Sequence, residues 1–110
     1  MRIAVKIDAD AEILPAATSA TIYAICREAL TNARRHASNA SSAVVTVQKL
    51  GDSLSVTIVD DGATPISGRS NGHGLTSMTE RAAAIGGSLT AGPNPAGGWR
   101  VAVQLPVHAR

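Results

Sequence analysis

The sequence is 110 residues long, which sets the expectation of one domain, residues 1–110, able to bury a core without covalent staples. A single cysteine, Cys26, excludes an internal disulfide and has no neighbours at metal-ligand spacing, and no apolar run approaches the roughly 18 residues of a membrane span. A formal charge of +2, scattered basic residues, no phenylalanine, one tyrosine and one tryptophan argue against nucleic-acid binding, which draws on a basic stripe or a set of stacking rings.

Residues 2 to 8 alternate Ile3, Val5 and Ile7 with Arg2, Lys6 and Asp8, the period of a half-buried strand. From about Thr18 to Ala37, Ile22, Cys26, Ala29, Leu30, Ala33 and Ala37 recur at helical spacing, and Thr18 or Ser19 is a suitable N-cap. Val45 and Val47 open an extended run to Leu50, Gly51-Asp52 makes a turn, and Leu54, Val56 and Ile58 alternate with Ser55, Thr57 and Val59, so a β-hairpin is predicted. A loop over residues 62 to 74 leads to a second helix over about 74 to 85, with Leu75, Met78, Ala82 and Ile85 on its apolar face and Gly86-Gly87 as its stop. Leu89 and Ala91, then Val101, Val103 and Leu105, supply two more strands around a loop from Gly92 to Gly98. The order β-α-β-β-α-β-β, with hairpin-joined strands and two one-sided helices, implies an α/β two-layer sandwich in which both helices pack on one face of a mixed sheet.

Three places carry chemistry. On the first helix Glu28, Asn32 and His36 are four residues apart and Arg35 is seven after Glu28, so they share a polar stripe. A carboxylate and an amide oxygen one turn apart offer hard ligands to Mg²⁺, and Arg35 and His36 can meet phosphate oxygens; the plain alternative is a solvated helix face. The strand Leu54-Val56-Ile58 runs into Asp60, and period two aims that carboxylate inward, where it needs a donor such as the exocyclic amine of adenine. Asp61 points the other way and Gly62 turns the chain, although Asp-Asp-Gly is more commonly a simple turn. Gly72-His73-Gly74 precedes the second helix, where free backbone amides favour a phosphate; the alternative is a flexible loop. It matches neither the Walker loop nor the dinucleotide fingerprint.

Taken together, Glu28-Ala-Leu-Thr-Asn32-Ala-Arg-Arg-His36-Ala, then Asp60-Asp61-Gly62, then Gly72-His-Gly-Leu-Thr-Ser-Met-Thr-Glu-Arg81 resemble the asparagine box and the two glycine boxes of the GHKL (Bergerat-fold) ATPases. The match is closest to sensor histidine kinases of the NarL and DesK kind and covers nearly the whole chain. The resemblance implies ATP and Mg²⁺ as ligands. Asn32 would bind the metal, Glu28 would polarise a water or the metal shell, and Arg35 and His36 would approach the phosphates. Asp60 would accept from adenine and Gly62 would open the base pocket. Gly72, His73, Gly74 and the amide of Leu75 would hold phosphates beneath a lid of about residues 63–73.

Three residues depart from the family pattern: Thr64 and Ser77 where glycines are usual, and Trp99 where a threonine is usual, the indole being expected to pack over the sheet edge. Met78 and Cys26 read as core, Tyr23 as helix edge and His108 as tail. None of the three histidines has the setting of a phosphoacceptor, so the acceptor is expected on a separate helical dimerisation domain, with a response regulator as the next partner. The isolated chain is expected to be a cytoplasmic monomer without membrane contact, and an intact kinase a homodimer, anchored to the membrane, if at all, through other segments. The other readings from the same residues are a degenerate nucleotide-binding module that docks a partner without phosphotransfer, and a serine kinase of anti-sigma type.

Overall fold

The computed structural model describes residues 2–8, 14–36, 40–62 and 73–107, apart from the side chains of residues 35, 36, 73 and 74. Its elements follow the expected order: β1 (Arg2–Ile7), α1 (Ala16–His36), β2 (Ser42–Leu50), β3 (Ser53–Asp60), α2 (His73–Ala84), β4 (Ser88–Pro93) and β5 (Trp99–Pro106). The five strands form one sheet in the order β1-β2-β3-β5-β4. β1 runs parallel to β2 and every other pairing is antiparallel, so the sheet is mixed. Both helices lie on one face of it and touch each other, as a two-layer sandwich requires.

Period-two patterning decides which side chains meet the helices. Val45 and Val47 on β2, Leu54, Val56 and Ile58 on β3, and Val101, Val103 and Leu105 on β5 are all buried, and Ile25, Ala29, Met78 and Ala82 descend onto them from α1 and α2. Each fully buried aliphatic side chain contributes roughly 1.5–3 kcal/mol. That packing holds α2, because a helix of 12 residues is marginal by itself. The end of α2 is locally encoded: Gly86 takes φ 85°, its amide donates to Ala83 O at 3.0 Å, and the Gly87 amide donates to Ala82 O at 2.8 Å, the paired bonds of a Schellman stop.

Four details differ from the periodicity reading. The apolar residue of α1 driven deepest is Ile25, whereas Ile22, Cys26 and Leu30 are half-buried. The apolar stripe is wider than one row, and the helix settles with Ile25, Ala29 and Ala33 downward because the two alanines let its backbone approach β3. Ile3, Val5 and Ile7 are not half-buried in the manner expected but 50%, 57% and 52% exposed. β1 is an edge strand beyond the reach of α1, and its apolar side chains line one wall of a groove of about 670 Å³ that Ile22, Cys26 and Leu30 complete. Burial pushes the Cys26 thiol up to about 11, consistent with a packing role. Trp99 is not on the sheet edge; it is buried in the core directly opposite Asp60 on the neighbouring strand.

The fourth difference is the start of α1. Pro15 occupies the cap position, its carbonyl accepting from the Ser19 amide at 3.0 Å, so the helix begins two residues before the predicted cap. Thr18 therefore lies inside the first turn, fully buried, and its Oγ1 has no hydrogen-bond partner among the described residues. Thr18→Val removes that desolvated hydroxyl at nearly constant volume and is expected to raise the unfolding free energy by about 1 kcal/mol. Urea titrations with an unchanged slope would register the gain, and a loss of similar size would reveal a partner for the hydroxyl.

Candidate functional site

β3 is the central strand, paired along its length with β2 and β5, and it delivers Asp60 at its end between Ala43 and Trp99. The phase set by Leu54, Val56 and Ile58 carries through, so Asp60 is 5% exposed on the helix-covered face. Its Oδ1 accepts from the Gly62 amide at 3.0 Å, which turns the chain and orients the carboxylate. Gly62 is itself buried. An inward carboxylate on the helix-covered face, oriented by a backbone amide, is chemically suited to accept from a ligand amine.

Asp61 faces the other way, as alternation demands. Its Oδ1 accepts from the amides of Ser41 and Ser42 at 2.8 and 3.0 Å, and its Oδ2 from the Ser41 and Ser42 hydroxyls at 2.7 and 3.0 Å. The Ser41 hydroxyl, followed by the two serine amides, holds this carboxyl well below the usual carboxylate range. The Asp61 amide returns a bond to Ser42 O at 3.2 Å.

On the other side of the same peptide lies Gly98. It takes φ 84°, and a Cβ there would collide with the Asp60 carbonyl oxygen and come within 2.9 Å of the carbonyl carbon and 3.3 Å of Asp61 Cα. The tight loop before it is closed by Asn94, whose amide donates to Gly98 O at 2.8 Å, whose carbonyl accepts from Gly97 N at 2.8 Å, and whose Nδ2 donates to Gly97 O at 3.1 Å.

On α1, Glu28 and Asn32 are half-buried, one turn apart. Glu28 lines a polar cleft of about 290 Å³ together with Tyr23, Arg27, Thr31 and, from the last turn of α2, Arg81. Arg27 and Arg81 were not anticipated in this position; Arg81 stood within the quoted glycine-box stretch, but only the packing of α2 on α1 brings it to Glu28. Arg35 and His36 continue α1, with side chains outside the described residues. Residues 63–72, which include Gly72, Thr64 and all but the last position of the expected lid over about 63–73, also lie outside them. His73 and Gly74 open α2, whose first turn carries no acidic side chain, and Leu75 packs half-buried against the core. Among the described residues no three His, Cys, Asp or Glu side chains gather into a metal cluster.

A family model described as histidine kinase-, DNA gyrase B-, and HSP90-like ATPase matches residues 17–109. The chain belongs to this ATPase family. Among curated relatives of this ATPase, the sensor histidine kinase YxjM of Bacillus subtilis is 44% identical over 96 residues, which are 87% of this chain and 23% of that protein. The signal transduction histidine-protein kinase/phosphatase UhpB of Salmonella typhimurium is 39% identical over 87 residues, 78% of this chain and 17% of that protein. The ATPase chain thus spans under a quarter of the length of the curated relatives it matches. The histidine kinase domain of the Erythrobacter litoralis EL346 blue-light activated histidine kinase superposes with a TM-score of 0.73 at 27% identity, covering 96% of this chain and 51% of that one. The fold and the sequence relationship agree: this is an ATPase domain similar to those of sensor histidine kinases.

Proposed function

We propose that residues 1–110 form the catalytic domain of a cytoplasmic two-component kinase that binds Mg-ATP and presents its γ-phosphate to a histidine on a separate helical dimerisation domain, a response regulator receiving the group next. The observation that carries this reading is the buried Asp60 carboxylate at the end of the central strand, oriented by the Gly62 amide. Bound Mg-ATP supplies the transferable phosphoryl group and the cation that neutralises it.

The chain's own residues bind and orient. Asp60 accepts from the adenine amine, and Gly62 gives the base room. Asn32 would offer its amide oxygen to the cation, a hard ligand of the kind Mg²⁺ takes. Glu28 would orient a water or the metal shell, and Arg35, His36, Gly72, His73, Gly74 and the amide of Leu75 are the groups that would meet the phosphates, with about residues 63–73 as the lid. Positioning and charge neutralisation are most of what phosphoryl transfer asks of a protein.

Asn32→Asp tests the metal end. A second negative charge beside the triphosphate is expected to weaken Mg-ATP at least about tenfold, or about 1.4 kcal/mol, with an unchanged melting temperature. Titration calorimetry with and without Mg²⁺ reads this directly, and equal Mg²⁺ dependence in both proteins would remove Asn32 from the metal site.

A further inference from the structure

We propose that Asp61 is a positioning residue for the adenine end of the site, clamping the start of β2 to the end of β3 so that Asp60 and Gly62 keep the geometry a purine requires. The claim rests on the nucleotide reading above and extends it to a residue that would not touch the nucleotide.

A carboxylate has about four lone-pair positions, and here four donors meet them: both amides on one oxygen and both hydroxyls on the other. Distances of 2.7–3.0 Å lie within the hydrogen-bond range for all four donors. Asp61 is exposed, and an isolated exposed charge contact stabilises a fold little. Four-fold engagement of one exposed side chain by two consecutive residues instead fixes an orientation. What it orients is the segment in which Asp60 faces the core and Gly62 turns back to it. Gly98 abuts the same peptide on the β5 side, so Asp60 is held between two neighbouring strands, and Asp61 is the tie on the β2 side. Ser41 and Ser42 also lie just beyond α1 in the chain, so the clamp joins the strand after the asparagine-box helix to the first glycine box.

The test is calorimetry of Mg-ATP and Mg-GTP on wild type, Asp61→Ala and Asp61→Asn at a temperature where circular dichroism shows all three folded. Asp61→Ala is expected to weaken Mg-ATP about tenfold and Mg-GTP less than about twofold, because only the base that uses Asp60 feels the displacement. A smaller folded fraction would scale both nucleotides equally. Asp61→Asn keeps an oxygen for the two amides and offers an NH₂ to the serine hydroxyl oxygens, so it is expected to stay within about threefold of wild type. Should the alanine variant not fold, the paired Ser41→Ala/Ser42→Ala variant, which retains both amide bonds, is expected to lose about threefold for ATP alone. Wild-type ATP affinity in a folded Asp61→Ala protein, an equal fall for both nucleotides, or an asparagine variant as weak as alanine would overturn the positioning role while leaving the nucleotide site standing. Absence of Mg-ATP binding by wild type would instead overturn the nucleotide reading itself and the Asp61 role with it.

Discussion

Asp60→Asn is expected to lower Mg-ATP affinity by about 150-fold, roughly 3 kcal/mol, without disturbing the fold. The substitution is nearly isosteric, and the asparagine oxygen can still accept from the Gly62 amide that the carboxylate Oδ1 engages at 3.0 Å. The other carboxylate oxygen becomes an NH₂ group. Set against the adenine amine it offers a donor to a donor, and at a position 5% exposed there is little water to relieve the conflict. Calorimetry supplies the affinity and a thermal melt the control. Unchanged affinity in a protein that melts normally would mean that the purine does not sit at the end of β3.

Gly98→Ala has the larger expected effect on stability. A side chain at φ 84° costs about 1–2 kcal/mol on conformational grounds alone. The new methyl also meets the Asp60 carbonyl, a backbone group that cannot rotate away because β3 is paired on both sides. A total near 3 kcal/mol would lower the melting temperature by roughly 12–20 °C in a domain this size. Gly92→Ala is the matched control: a Cβ there meets nothing within 4 Å, so its effect should stay within about 0.5 kcal/mol. If the two variants melted together, the close approach of β5 to the Asp60 peptide would not matter to the fold. Because the same peptide carries the candidate adenine contact, surviving folded Gly98→Ala protein should also bind nucleotide poorly.

Much of this architecture is legible in the amino-acid order because period-two and helical patterns are local. Leu54, Val56 and Ile58 carry a phase that places Asp60 inward and Asp61 outward, and both side chains take those directions. The Gly86-Gly87 stop is equally local. What the pattern leaves open is set by partners distant in the chain. Alternation in Ile3, Val5 and Ile7 marks a strand with an apolar side but not whether a helix reaches far enough to cover it, and α1 does not. The insertion of β5 between β3 and β4 follows from pairing across tens of residues. Asp61 reads as half of a turn until Ser41 and Ser42, 20 and 19 residues earlier, are found on its oxygens. Arg81 has no assigned role in the sequence until α2 is laid against α1, where it lines the cleft beside Glu28. Glu28 and Asn32 are legible as a pair on one stripe, while the cleft around Glu28 is not.

The place of β3 in the sheet order bears on how the domain comes apart. Fraying begins at margins, and here the margins are β1 and β4, each bonded to a single neighbour. Excursions that peel either one away leave the inner ladder β2-β3-β5 paired, so the aspartate at its tip keeps both neighbouring strands when a margin opens.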